Sequence, residues 1–127
     1  MELIVIGCFG QRSSYMLATK IGKLEGNESL YVDSLSNILE TYEHLSTTYE
    51  CCVAYGSISM IDSRYNVRMY DLQHKISQIW VAPQAQYMMH RIEKAFVGSD
   101  ILPHMIDQRV FGIMDALSLW NEIKAAR

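Results

Sequence analysis

The chain opens on an apolar run, Leu3–Ile6, which leads within two residues into Cys8 and a short loop. A continuous apolar run of this length is typical of a parallel strand that is buried on both faces. From Ser13 onward apolar residues recur at helical spacing, so the sequence predicts a strand, a tight loop and a helix. This order places the Cys8 thiol at the carboxyl end of a strand and at the N-terminus of a helix.

Composition limits what such a chain can be. With 127 residues, half of them hydrophobic, it fits one compact domain over residues 1–127. A net charge of −3 argues against nucleic acid or an anionic membrane as partner. No apolar run approaches the roughly 18 residues that span a bilayer, and the N-terminus shows no signal-peptide pattern, so we expect a cytoplasmic protein without membrane insertion. The three cysteines, Cys8, Cys51 and Cys52, include no Cys-x-x-Cys pair, and we expect free thiols.

Strands and helices alternate along the rest of the chain, which favours an open α/β domain. We predict a four-stranded parallel sheet in the order 2-1-3-4, flanked by helices. The second strand is either Cys51–Gly56 or the stretch 66–71, because the sequence fits both. The third strand is Gln78–Ala82, ended by Pro83, and the fourth is His104–Ile106.

Four helices are predicted from apolar spacing. The first begins near Ser13 and is closed by Gly22 and Gly26. An extra helical insertion after this first helix covers residues 34–48, with Asp33 or Ser34 as its cap. The last two helices cover Gln84–Phe96, closed by Gly98, and Asp115–Ala126, with Asp115 as the N-cap.

The loop after Cys8 is suited to hold an anion. A helix N-terminus presents unpaired N–H groups and about half a positive charge, which favours both a thiolate and a bound phosphate. Gly10 allows close backbone approach, Ser13 and Ser14 add hydroxyl donors, and Arg12 adds a permanent positive charge. The pattern predicts a cysteine nucleophile that accepts a phosphoryl group. A buried structural cysteine at a strand end is the other interpretation.

Two known phosphate loops do not fit. A Walker A loop ends in Gly-Lys-Ser/Thr, and this loop has no lysine. The layout resembles a low-molecular-weight tyrosine phosphatase, but that family places arginine six positions after the cysteine, where this chain has Ser14. Its Asp-Pro general acid is also missing, since Ala82 precedes Pro83 and Leu102 precedes Pro103. Without that acid, hydrolysis lacks a contribution of roughly 10²–10⁴-fold. A carrier, in contrast, must hold its phosphoryl group and is better without a group that activates water.

The chain resembles the lactose/cellobiose-type enzyme IIB of the bacterial phosphoenolpyruvate-dependent sugar phosphotransferase system. Three segments carry the resemblance, and it covers about residues 1–24 and 78–126. They are the loop Cys8-Phe9-Gly10-Gln11-Arg12-Ser13-Ser14, the segment Trp80-Val81-Ala82-Pro83-Gln84-Ala85-Gln86-Tyr87-Met88, and the late pattern Ile106-Asp107, Phe111-Gly112 and Asp115. The chain departs from the family in residues 25–77, which are longer than usual, and in Phe9, Gln11 and Arg12, where small or neutral residues are typical.

The resemblance implies a role for each loop residue. Cys8 would take a phosphoryl group from a phosphohistidine on enzyme IIA and pass it to a sugar bound by the membrane enzyme IIC. The phosphate would be held by the loop Phe9, Gly10, Gln11, Arg12, Ser13 and Ser14, through its backbone and the two serine hydroxyls. Arg12 would clamp the phosphate or dock a partner. Tyr15, Pro83 and Gln84 would face the partner proteins, and no metal or organic cofactor is implied.

Two rival functions remain open. One is a cysteine phosphatase or an arsenate-reductase-like enzyme, and the other is a diverged enzyme IIB-like module that binds a partner or an anion without catalysis. The remaining candidates for chemistry are weaker. Cys51 and Cys52 are adjacent without a second pair, which makes a poor metal site. The four histidines are scattered and are expected to be surface or capping residues. They are His44, His74, His90 and His104.

Overall fold

The computed structural model describes residues 1–26, 28–61 and 69–127. Five strands form one parallel sheet. They are β1 (Glu2–Cys8), β2 (Leu30–Ser34), β3 (Cys51–Ser57), β4 (Gln78–Val81) and β5 (Pro103–Met105). The spatial order is β2-β3-β1-β4-β5, so β1 lies in the centre. The α/β class with a parallel sheet is therefore as predicted.

The predicted number of four strands is wrong, because β2 adds a fifth strand at the sheet edge next to β3. Its residues are only half-buried, and its apolar stretch Leu30–Val32 gives way at once to Asp33 and Ser34, which is too short a pattern to predict a strand. Of the two candidates for the second strand, Cys51–Gly56 lies in β3. Residues 66–68 of the other candidate lie outside the described residues, and Met69 begins a helix.

Seven α-helices occur among the described residues. They are α1 (Arg12–Glu25), α2 (Leu35–Glu40), α3 (Tyr42–Thr48), α4 (Met69–Lys75), α5 (Met89–Ala95), α6 (Gln108–Gly112) and α7 (Ala116–Ala125). Within the described residues, none of them has the length and apolar content needed to cross a bilayer.

The helix ends follow the sequence in several places. Gly26 ends α1 in the left-handed region (φ 51°), where its N–H donates to the Gly22 carbonyl at 3.1 Å. Gly22 lies inside α1 and does not end it: a Cβ at that position would lie 2.9 Å from Val32, so glycine allows α1 to pack closely on β2. Asp115 caps α7 as predicted, with its carboxylate 3.1 Å from the Ser118 N–H.

Two helix predictions need correction. The insertion after the first helix is not one helix over 34–48: β2 comes first, Ser34 then caps α2, and the chain breaks at Thr41 before α3. Thr41 leaves the helical region of the backbone (φ −113°, ψ 19°), while its N–H and its hydroxyl both donate to the Asn37 carbonyl, at 3.2 Å and 2.9 Å. The segment Gln84–Phe96 divides into a 3-10 helix over Pro83–Met88 and α5. The sequence patterns also missed α6.

The sheet is covered on both faces, and β1 shows why its apolar run is continuous. Leu3 and Val5 point to a core formed with α2, α3, α4 and α5. Ile4 and Ile6 point to the opposite core, formed with α1 and α7. Because β1 is buried on both faces, every position of the run is apolar.

The direction in which the chain leaves β1 defines a crevice. After β1 the chain turns to the face that α1 covers, whereas after β3 and β4 it turns to the other face, where Ile58 and Met88 are buried. Strands β3 and β4 are the two neighbours of β1. Opposite exits from adjacent parallel strands open a crevice at their carboxyl ends, which is where ligands bind in open α/β sheets.

Candidate active site at the carboxyl end of the central strand

Cys8 is the last residue of β1 and lies in this crevice. Its side chain is buried but lines a concavity of about 240 Å³, together with residues of its own loop, of the 3-10 helix after β4 and of α6. The lining residues are Cys8, Phe9, Gly10, Arg12, Ser13, Gln84 and Phe111. The structure therefore brings together the thiol and most of the predicted phosphate-binding loop.

The start of α1 supplies backbone donors at this site. Gln11 occupies the N-cap position without a side-chain capping bond. The first intrahelical bond is donated by Tyr15 N–H to the Gln11 carbonyl at 2.8 Å, so the amides of Arg12, Ser13 and Ser14 precede the helical ladder. Uncapped amides at the N-terminus of a helix of this length form an environment that favours anions.

Ser14 is the polar side chain most closely associated with the thiol. Its side chain is fully buried, and its Oγ lies 3.3 Å from the Cys8 Sγ. The hydroxyl also lies 3.0 Å from the Gln11 carbonyl oxygen and 3.3 Å from that of Gly56 in β3. A hydroxyl has one proton and can rotate, so Ser14 can donate to a carbonyl or turn its proton toward a negative group on the sulfur.

The loop is tied to β3 by a second serine. The Ser57 Oγ donates to the Phe9 carbonyl at 3.0 Å. Together with the bond from Ser14 to Gly56, it fixes the loop against the carboxyl end of the neighbouring strand. Sequence reasoning gave Ser57 no role, because the contact joins residues 48 positions apart and depends on β3 being the neighbour of β1.

The conformation of the loop also places a carbonyl at the thiol. The Cys8 Sγ donates to the carbonyl oxygen of Gly10. The thiol in this structure is thus a hydrogen-bond donor, held by Gly10 and Ser14, and not the recipient of a ring of N–H groups. This differs from the arrangement that the sequence pattern predicts, because the peptide between Gly10 and Gln11 presents its oxygen.

The remaining predicted residues occupy the rim. Arg12 is exposed and lines the concavity, Gln11 is exposed, and Tyr15 is exposed with its ring 5.0 Å from that of Tyr55. Phe9 is exposed and lies 5.5 Å from the Tyr87 ring, centroid to centroid.

The two residues predicted with Tyr15 to face a partner differ from each other. Gln84 is exposed, whereas Pro83 is buried, and the role of both residues toward a partner stays a prediction. Pro83 begins the 3-10 helix that carries Gln84, and both residues line a second concavity beside Phe111. Phe111 lies within one of the segments that resemble enzyme IIB, but no pattern in the sequence indicated that α6 would bring it to the thiol.

Charge around the thiol is one-sided. Among the residues that line the concavity in the described part of the chain, Arg12 is charged and none is a carboxylate or a histidine. Asp107 precedes α6, but its carboxylate accepts the N–H groups of Arg109 at 2.9 Å and Val110 at 3.1 Å. Asp107 therefore caps a helix, as its position before α6 requires.

The other two cysteines, Cys51 and Cys52, lie at the amino end of β3, away from Cys8. Burial is the main cause that raises the pKa of Cys51, and it raises that of Cys52 to about 12. Both remain thiols at neutral pH and are poor nucleophiles. No group of three or more histidine, cysteine, aspartate or glutamate side chains within the described residues is placed to hold a metal ion.

The chain has no recognised relative in two sequence comparisons. No protein-family model matches the chain, and comparison with curated protein sequences finds no significant match. The geometry of the site and the segments that resemble enzyme IIB are therefore the grounds for a function.

Proposed function

We propose that the chain is a phosphoryl carrier of the enzyme IIB type, with Cys8 as the residue that carries the group. The observation that supports this most is the position of the Cys8 thiol: at the carboxyl end of the central strand, beside the uncapped amides of α1, with the Ser14 Oγ at 3.3 Å. This arrangement combines a nucleophile with donors for the oxygens of a phosphoryl group.

The proposed transfer has two displacement steps. The Cys8 sulfur, as thiolate, attacks the phosphorus of a phosphohistidine on enzyme IIA. The P–N bond breaks as the P–S bond forms, and the imidazole leaves as a neutral ring after taking up a proton. A hydroxyl oxygen of a sugar bound by enzyme IIC then attacks the same phosphorus, the P–S bond breaks, and the hydroxyl proton is released. Such transfers depend mainly on positioning and charge stabilisation, which the α1 amides, the Ser13 and Ser14 hydroxyls and Arg12 would supply.

The composition of the site supports a carrier over a hydrolase. A cysteine phosphatase uses a general acid for its leaving group and a group that activates water. Neither a carboxylate nor a histidine is found among the described residues that line the concavity, and Ser14 occupies the position of the phosphatase arginine. A phosphocysteine formed here would persist until a partner accepts the group.

A binding module without catalysis is the second candidate, and the Gly10 carbonyl favours it. An oxygen directed at the sulfur opposes negative charge at that position. Transfer therefore requires the Gly10 carbonyl to move away from the sulfur. Gly10 is exposed and has no Cβ, so its backbone dihedrals are the least restricted of any residue.

The experiment that separates these functions follows labelled phosphate. The chain is incubated with the general phosphotransferase proteins, enzyme IIA and labelled phosphoenolpyruvate. We expect an acid-sensitive or iodine-sensitive label on the natural chain and on Cys51→Ser, and none on Cys8→Ser. The absence of label with every enzyme IIA tested contradicts the carrier and favours the binding module. Turnover of an aryl phosphate favours the phosphatase or the related arsenate reductase.

A further inference from the structure

A second surface of the molecule is a groove between the outer sides of α1 and α7. We call it the α1–α7 groove, with a volume of about 340 Å³. Its lining residues are Lys20, Lys23, Leu24, Ala116 and Leu117. Leu24 lies twelve residues beyond Arg12, which is about 18 Å along the axis of α1. The groove is therefore separate from the crevice that holds Cys8.

Large apolar side chains at this groove face the solvent. Leu24 is 49% exposed and Leu117 is 55% exposed. Met16, two turns before Lys23 on the same side of α1, is 40% exposed, and Ile113 in the turn before α7 is 66% exposed. Single exposed apolar residues are ordinary on a protein surface, but a cluster at a concave site marks an interaction surface.

These side chains are not required by the core of this chain. Helix α1 contributes Leu17, Ala18 and Ile21 to the core beneath it, and α7 contributes Leu119, Trp120 and Ile123. Leu24 and Leu117 belong to neither buried set. Both helices thus have an inner face that stabilises the fold and an outer apolar strip that the fold leaves uncovered.

The charges at the groove are all positive. Both charged residues that line it in the described part of the chain are lysines. The Lys20 Nζ lies 3.4 Å from the Met114 carbonyl oxygen, which holds this ammonium group at the edge of the apolar strip. A cationic groove on a chain with a net charge of −3 is complementary to an acidic partner and not to another copy of the same acidic protein.

We propose that the α1–α7 groove binds an amphipathic helical segment of a partner protein, apolar on one side and rich in Asp and Glu along its flanks. A third helix can lay apolar side chains between two packed helices while its carboxylates reach the two lysines. A membrane surface fits less well, because the site is concave and two lysines supply only about 1 kcal/mol each at an anionic bilayer. The partner could remain bound while Cys8 reacts.

A titration with two designed peptides tests this proposal. Each peptide has roughly 18 residues, long enough to populate a helix, with leucines on one side. One carries Glu along the flanks of the leucines and the other carries Lys. We expect the Glu peptide to bind at least about tenfold more tightly, and its NMR shifts to map to α1 and α7 without reaching Gly10. The double variant Lys20→Glu, Lys23→Glu should reverse the preference.

A matched control variant shows whether the effect is specific to the groove, and four results would contradict the proposal. The double variant Lys75→Glu, Lys94→Glu has the same net charge, but its changes lie on α4 and α5, and it should keep the preference for the Glu peptide. Equal binding of both peptides, or no binding, overturns the proposal. If the protein binds neither peptide but sediments with phosphatidylcholine–phosphatidylglycerol vesicles, the groove binds a membrane and the proposal is overturned. A dimer that Leu117→Ser abolishes without lowering the melting temperature overturns it in favour of a second copy.

Discussion

The two ends of the sheet each hold a buried cysteine beside a cavity, and their surroundings are opposite. At the carboxyl end, Cys8 lies beside uncapped helix amides and Arg12, with no carboxylate lining its concavity among the described residues. At the amino end, Cys51 lines a cavity of about 140 Å³ with Glu2, Glu25, Glu50 and Arg127. The same side chain thus occurs once beside uncapped amides in an open crevice and once beside charged side chains that already pair with each other.

The amino-end cavity is closed by contacts from the chain itself. The Arg127 guanidinium pairs with Glu2 at 3.1 Å, lies 5.2 Å from the centre of the Trp120 ring, and donates to the Cys51 sulfur at 3.7 Å. The Trp120 Nε1 donates to Glu25. These side chains satisfy each other, which is the arrangement of a structural site. Burial alone therefore does not distinguish the two cysteines. Cys8 is the candidate nucleophile because it has hydrogen-bond donors nearby and is reached from the crevice, whereas Cys51 is enclosed by side chains that pair with each other.

Alkylation should show the largest difference between the two ends. With iodoacetamide at pH 8, we expect Cys8 to react and Cys52 to react roughly a thousandfold more slowly, because a pKa of about 12 leaves few thiolates there. Cys51 should also react slowly, since burial raises its pKa. The measurement is peptide mapping by mass spectrometry over time. Faster modification of Cys51 than of Cys8 would show that the comparison is wrong.

Removal of the Ser14 hydroxyl should have the next largest effect. Ser14→Ala takes away the hydroxyl whose Oγ accepts from the Cys8 thiol at 3.3 Å and can turn its proton toward a phosphoryl oxygen, and we expect phosphoryl transfer from enzyme IIA to slow by about tenfold or more. The measurement is the rate of labelling. The melting temperature is measured as well, so that slower transfer is distinguished from a loss of stability. Ser13→Ala, on the partly exposed side of the same helix turn, is the matched control and should slow transfer less. Equal transfer rates for Ser14→Ala and the natural chain would show that the Ser14 hydroxyl has no role in transfer.

The amino end should affect stability without affecting transfer. Trp120→Phe removes the donor to Glu25 and reduces the buried ring, so we expect the free energy of unfolding to fall by about 1–3 kcal/mol. Denaturant titration measures this change. Glu25→Gln keeps an acceptor oxygen and should cost less. At a temperature where both variants are folded, neither should change the transfer rate by more than about twofold. A large loss of transfer would mean that the amino end of the sheet is coupled to the site at the carboxyl end.

The parts of the fold that follow from local pattern were predicted correctly. The continuous apolar run identified β1, and Asp115 identified the start of α7. Strand β2 was missed because an edge strand with half-buried residues has no distinctive apolar period, and its polar end at Asp33 and Ser34 was interpreted only as a helix cap. The break at Thr41 was missed because the apolar spacing of a helix continues across it, from Leu39 to Tyr42 and Leu45.

The sequence predicted the local part of the candidate site but not the contacts that distant residues make with it. The order of strand, Cys8, loop and helix is local, and the structure places the thiol where this order predicts. The bond between Ser14 and Gly56, the tie from Ser57 and the approach of Phe111 join distant parts of the chain, so spacing alone could not indicate them. The orientation of the Gly10 carbonyl is a property of one peptide plane and likewise leaves no trace in the sequence.

The most direct test of the central claim is to locate the phosphoryl group. After incubation with phosphorylated enzyme IIA, the chain is digested at neutral pH and its peptides are analysed by mass spectrometry. The account predicts one phosphoryl group, on the peptide that contains Cys8, and its loss when an acceptor sugar and enzyme IIC are added. A phosphoryl group on any of the four histidines, or none with every enzyme IIA offered, would contradict it.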